Sequence, residues 1–273
     1  MEGIIYTPKG MAREYSPYAL NIYNGCDHNC KYCYVKTMSF RKQVLNSEIE
    51  PRKDILVKLE KQLKKNEINE QVLLCFTGDA YCKADVKHET TREILKILLK
   101  YNVPIAILSK GGKRILRDLD LFKKFDKIKV GSTLTLTKNT DSLIYEPGAS
   151  LPKERMETLK ALHDEGIKTW VSFEPVIDTK QTIEILDITK DYVDQYKVGK
   201  MNHQKSNIDW KTFGNEISKK LIEYGNEFYI KKDLYRYMTI KLPEKYIDQD
   251  YLVLREAITE TKETAQILQP ALF

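Results

Sequence analysis

Apolar positions along the chain follow two alternating rhythms. Short runs such as VLLCF (72–76), PIAIL (104–108) and TWVSF (169–173) are apolar nearly throughout, as strands buried on both faces are. Runs of this kind predict strands at Leu20–Tyr23, Val72–Thr77, Ile105–Ser109, Ile128–Leu136, Thr169–Ile177 and Tyr196–Met201. Between them the period lengthens to that of a helix. Residues 51–65 bring Ile55, Leu56, Leu59 and Leu63 to one face, and 89–101 do the same with Ile94, Leu95, Leu98 and Leu99. Shorter helices fit 112–124, 152–165, 180–192 and 209–224, with Pro152 suited to a first turn and Gly166 to a stop. Strand and helix alternating six times imply a parallel sheet with right-handed crossovers. Counting alone leaves two α/β architectures, a doubly wound open sheet and a full or partial β/α barrel. Both place their sites at the C-terminal ends of the strands. After about residue 226 the rhythm fades. We therefore expect a core over 1–225 and a C-terminal extension over 226–273 packed on it.

Composition changes this picture little. The 273 residues are enough for a large core. The formal net charge is +6, but the lysine-rich runs at 56–67 and 121–130 mix both signs and read as solvated helix faces. A polyanionic substrate is compatible with this balance and not demanded by it. No window approaches the roughly 18 consecutive apolar residues of a membrane span, and the first twenty residues lack the pattern of a signal peptide. The expected address is cytoplasmic, with reduced thiols.

The candidate chemistry lies in GCDHNCKYCY (25–34), where three of the five cysteines, Cys26, Cys30 and Cys33, fall within eight residues. They follow the first predicted strand, where α/β sites form. A reducing compartment and an odd count disfavour a disulfide. Structural zinc needs a fourth ligand. His28, wedged between the first two cysteines, is poorly placed for that role, and Cys75, Cys82 and the other histidines are distant in sequence. An iron–sulfur cluster is the other soft-ligand option, and with three thiolates it keeps one iron open.

Cys-x3-Cys-x-aromatic-Cys at the end of a first β/α strand resembles the radical S-adenosylmethionine (SAM) superfamily. The wider NIYNGCDHNCKYCYV is similar to the branch containing spore photoproduct lyase, and the likeness runs over about residues 15–203. The resemblance implies a partial (β/α)6 TIM-like barrel. It also implies one [4Fe-4S] cluster on Cys26, Cys30 and Cys33, with SAM on the fourth iron. Reductive cleavage of SAM would give methionine and a 5′-deoxyadenosyl radical, with flavodoxin or ferredoxin as a typical electron donor and nucleic acid among the substrate classes. By position, Tyr32 lies beside the adenine. Thr77-Gly78-Asp79 meets the SAM amino group. Ser109 and Lys110 end the third strand, with Lys110 towards the SAM carboxylate. Ser132, and after it Thr133, serve the ribose or carboxylate from the fourth. Glu174 ends the fifth strand, an unusual place for a spare charge, and is expected to bind the ribose or a substrate cation. Glu146, Asn202 and His203 at the mouth are expected substrate contacts.

One departure stands out. The lyase's cysteine hydrogen donor would align with Phe76. Cys75 is one residue off, faces the other side of the strand and reads as a small core hydrophobe. Cys82, in the next loop, is the remaining candidate, either as an exposed thiol, a cluster neighbour or a radical relay. A competing class is a non-catalytic zinc module on an α/β scaffold acting with nucleic acid.

Overall fold

A computed structural model describes residues 3–37, 48–202, 204–248 and 251–254. Eight strands form one sheet in sequential order. They are β1 (Ile5–Tyr6), β2 (Tyr18–Leu20), β3 (Val72–Leu74), β4 (Ile105–Ser109), β5 (Ile128–Thr133), β6 (Thr169–Phe173), β7 (Gln195–Val198) and β8 (Glu227–Ile230). Only β1 is antiparallel to its neighbour, with Ile5 opposite Leu20; β2 to β8 are all parallel. The helices are α1 (Ile55–Leu63), α2 (Lys83–His88), α3 (Thr90–Lys100), α4 (Leu119–Phe122), α5 (Asn139–Tyr145), α6 (Pro152–Asp164), α7 (Thr179–Thr189), α8 (Trp210–Tyr224) and α9 (Lys232–Tyr235). The expected α/β class is what the sheet shows. Among the described residues, no helix is long and apolar enough to cross a membrane.

The strands are shorter than their apolar runs, because their C-terminal ends peel into loops. Beyond Leu74, the N–H groups of Phe76 and Thr77 donate not to the ladder but to the Asn21 side chain, at 2.9 and 2.8 Å. After Phe173, Pro175 has no N–H with which to extend β6. Two strands were not expected: the two-residue β1, and β8, which pairs in parallel with β7 although it lies past residue 225. β8 is four residues long and is followed by only one turn of helix, so no sustained period marks it.

Alternation along the strands sorts the side chains into two layers. Val72, Leu74, Ile105, Ile107, Val130, Val171, Phe173, Val198 and Ile230 pack under the helices. Leu73, Ala106 and Trp170 face the other way and close around Tyr15, which the N-terminal segment delivers into the sheet's concave side. The same alternation turns Lys129, Gly131, Thr133, Ser172 and Lys197 inwards. Lys197, buried, donates to the carbonyls of Glu14 and Tyr15 at 2.9 and 3.3 Å. It thereby fixes the segment that fills the interior.

Gly131 marks the tightest point. A Cβ there would sit 2.4 Å from the Trp170 carbonyl oxygen and 2.5 Å from its indole. The indole is itself fixed by a 3.0 Å hydrogen bond to Ile107 O. Gly131→Ala is expected to destabilise the metal-free protein by about 1–3 kcal/mol, the usual range for overpacking. Urea unfolding checks this, and an unchanged midpoint would contradict it.

Candidate functional site

The chain leaves β2 through Asn21, whose amide oxygen binds the end of β3. It then runs directly into the cysteine loop. Close approach continues at Gly78, where a Cβ would lie 3.0 Å from Gly25 O; glycine permits that contact. Asn29 takes a positive φ of 51° in the turn between Cys26 and Cys30, a conformation asparagine tolerates better than most residues. All five cysteines are free thiols; Cys26 and Cys33 are half-buried and Cys30 buried. Burial pushes the Cys26 and Cys30 thiols up, and at Cys30 the nearby Lys110 charge works against that rise.

Three thiols share this loop, and two nearby side chains that could add a fourth ligand, His28 and Asp79, are turned to each other. His28 is 2% exposed. Its Nε2 lies 2.9 Å from Asp79 Oδ2 and its Nδ1 3.2 Å from Gly148 O. Asp79 takes Tyr81 N at 2.8 Å, Ser109 Oγ at 2.6 Å and Lys110 N at 2.7 Å. Burial acts to raise the Asp79 pKa, but His28, Ser109 and the Lys110 N–H outweigh it and hold the carboxyl well below the usual range. The loop itself thus offers three sulfurs; among the described residues no three His, Cys, Asp or Glu side chains are gathered closely enough to hold a metal ion as they stand. Three thiolates suit a cluster with an open iron, whereas structural zinc takes four ligands.

The other expected residues divide. Tyr32 and Lys110 come together: the ammonium lies 5.6 Å from the ring centroid. Burial opposes the charge on Lys110, and Cys30 and Glu146 more than offset it. Thr77 lies at the end of β3, with its hydroxyl 3.5 Å from Arg52 Nη2. Thr133 faces the interior, in line with Gly131. Ser132, the first choice from sequence, faces the helix layer instead and donates to Ser109 O at 2.7 Å. The pleat allows only one of the two inwards, and here it is Thr133.

Several expected contacts prove to be committed within the protein. The Asp79 carboxylate, expected at the SAM amino group, is saturated by its own loop. Glu174 receives Lys231 Nζ at 2.7 Å on both oxygens, Tyr15 OH at 2.5 Å and Asn202 Nδ2 at 3.0 Å. Its charge is balanced by Lys231, so no substrate cation is needed to explain it. Asn202 also donates to Asp233 Oδ2 at 2.8 Å, which makes it a bridge and not a free substrate contact. Glu146 is 1% exposed and pairs with Arg155 at 2.5 Å, so it does not face the mouth as a substrate group would. His203 lies outside the described residues. Cys82 is fully buried at the foot of α2, so it is not an exposed thiol. Burial first, then Asp27 and Asp79, pushes its pKa upward. Cys75 is buried in the helix-side core as expected, its thiol pushed up to about 12 by burial.

Sequence reasoning missed Arg155 and Lys231. Arg155 shares the buried stripe of α6 with Leu159 and Leu162; a charge at i, i+4 and i+7 with two leucines was the available signal. Lys231 follows the unpredicted β8 and carried none.

Comparison with known proteins agrees with this geometry. The family model described as "Radical SAM superfamily" matches residues 20–192. An uncharacterised protein of Methanocaldococcus jannaschii is 31% identical over 182 residues, covering 66% of this chain and 68% of that one. An uncharacterised protein of Acidianus two-tailed virus is 25% identical over 257 residues, covering 81% and 84%. Among solved structures, Streptococcus suis SuiB bound to S-adenosylmethionine superposes with a TM-score of 0.62 at 14% identity, over 83% of this chain and 53% of that one. A spore photoproduct lyase variant with bound AdoMet and dinucleoside spore photoproduct gives 0.57 at 16%, over 88% and 66%. The chain thus spans about half the length of SuiB, and at these identities the two structures share its fold.

Proposed function

Because the chain belongs to the radical SAM superfamily, whose cofactors are a [4Fe-4S] cluster and SAM, we propose that Cys26, Cys30 and Cys33 hold a single such cluster. When bound, that pair supplies one-electron cleavage of SAM to methionine and a 5′-deoxyadenosyl radical, which takes a hydrogen atom from a substrate. The protein's part is to bind, orient and exclude water. Lys110 offers its ammonium to the SAM carboxylate. The backbone carbonyls of Thr77 and Gly78 accept from the amino group, since the Asp79 side chain is engaged. Tyr32 lies against the nucleobase, and Thr133 faces the ribose from the inner side of β5. Tyr15, Phe76, Leu108 and Trp170 give the interior an apolar lining, which keeps water from a reactive radical.

The observation that carries this reading is the set of three free thiols on the loop leaving β2, with His28 and Asp79 turned to each other and not to the sulfurs. The reaction type we propose is a SAM-dependent lyase or modification. The net charge of +6 is compatible with a polyanionic substrate, nucleic acid included, without demanding one, and a cytoplasmic flavodoxin or ferredoxin suits the reductant. Anaerobic reconstitution with iron and sulfide should give a brown protein holding about four irons per chain. It should release 5′-deoxyadenosine from SAM on addition of dithionite. A colourless protein with one tightly held zinc and no SAM cleavage would refute the proposal.

A further inference from the structure

The segment 145–150 runs against the cysteine loop. Lys31 N donates to Tyr145 O at 2.8 Å, and Gly148 N donates to His28 O at 2.9 Å. Contact is so close that a Cβ on Gly148 would stand 2.1 Å from Asp27 O. At its far end the same segment holds the turn after β4. Ser150 N donates to Lys110 O at 3.0 Å and Ser150 Oγ to Gly111 O at 2.8 Å. This strap therefore joins the loop that carries the three cysteines to the turn that carries Lys110.

Arg155 anchors the strap. Its Nε donates to Ser150 O at 2.7 Å, Nη1 to Thr133 O at 3.0 Å, and Nη2 to Glu146 Oε2 at 2.5 Å. Both ionic side chains are 1% exposed. The other oxygen of Glu146 accepts from Tyr32 OH, with Thr135 Oγ1 at 3.3 Å. The Tyr32 hydroxyl is the donor in this contact, since a carboxylate only accepts. Stability alone explains this arrangement poorly, because a buried ion pair often does no better than apolar side chains of the same volume. A charged fork does, however, fix direction. Here it fixes the one aromatic ring that sits inside the cysteine motif.

We propose that Arg155 and Glu146 are positioning residues for SAM: through the Tyr32 hydroxyl they set the ring beside Lys110 as one wall of the SAM site. This rests on Tyr32 lying against the nucleobase. The function is to hold a binding surface in place, and neither residue touches the ligand.

The test uses reconstituted full-length protein with iron counted per chain. SAM affinity is measured by equilibrium binding without reductant, and the SAM-induced change in the electron paramagnetic resonance spectrum is read on the reduced cluster. Glu146→Gln, Arg155→Lys and Tyr32→Phe should each keep full iron, weaken SAM binding about tenfold, and alter the SAM-induced spectral change. Tyr32→Phe in the Glu146→Gln background should add nothing further, as expected for members of one linked unit. Normal SAM binding by these variants at full iron would overturn the proposal, and so would loss of iron in both Glu146→Gln and Arg155→Lys. If Arg155→Lys fails to fold, Tyr32→Phe decides alone, since it removes one oxygen and keeps the ring. Tyr32→Ala separates the two levels. Normal SAM binding by that variant overturns the placement of Tyr32 itself. Weakened binding there, with Tyr32→Phe and Glu146→Gln normal, overturns only the positioning role.

Discussion

Cys30→Ala should yield a colourless protein that does not cleave SAM, whereas Cys82→Ala should remain brown and cleave it. The contrast is sharp because both thiols are buried and near the same loop, yet their surroundings differ. Cys30 is the middle of three thiols on the segment leaving β2; burial pushes its pKa up, and the Lys110 charge works against that rise. Cys82 lies in the helix-side core beside Ala80 and Tyr81, where burial, then Asp27 and Asp79, push its pKa up. A nearby ammonium favours the thiolate that metal binding requires, and nearby carboxylates oppose it. Removing Cys82 should cost only the small packing loss of a buried sulfur, on the order of 1 kcal/mol. Iron per chain, visible absorption and 5′-deoxyadenosine measured on both variants check the pair. Iron loss in Cys82→Ala would mean that the ligand set has been miscounted, and turnover by Cys30→Ala would remove Cys30 from it.

The second large effect concerns stability. Lys231→Met should destabilise the metal-free protein by about 3–5 kcal/mol, the range found when one partner of a buried ion pair is removed. The side chains of Lys231 and Glu174 are 3% and 15% exposed, so solvent cannot compensate the orphaned carboxylate. Nor can the neighbours. Tyr15 OH and Asn202 already donate to it, and Gly199 leaves no space, since a Cβ there would stand 2.9 Å from the Glu174 carboxyl carbon. The double variant Glu174→Gln/Lys231→Met removes both charges and should lose markedly less. Urea unfolding of the single and double variants decides the matter. Equal losses would show that the cost is packing and not an unpaired charge.

The two failures of sequence reading at the mouth share a cause with this pair. Glu174 drew attention because a carboxylate at a buried strand end needs a partner. The need was legible, but the partner was not, because Lys231 lies 57 residues away, just after a strand too short to announce itself. Glu146 was expected at the substrate, and Tyr32, 114 residues from it in sequence, beside the adenine, with nothing local to pair them. In both cases a side chain expected to meet a ligand instead meets another element of the fold.

What the chain determines locally was readable from residues alone. The β/α order follows from apolar periods confined to one element at a time, and β4 and α6 begin where those periods begin. The candidate cluster ligands stand out because three thiols within eight residues need no tertiary contact to be recognised as a set. Tertiary structure decided everything that depends on which distant side chain answers a buried charge. It put Arg155 under Glu146 and Lys231 beside Glu174, and it closed Asp79 with His28 and Ser109. It also chose Thr133 over Ser132, since the inner face of β5 is defined only once Gly131 rests on Trp170. The physical reason is common to all of these: burying a charge or a hydroxyl demands a partner, but only the path of the chain through the sheet selects which one arrives.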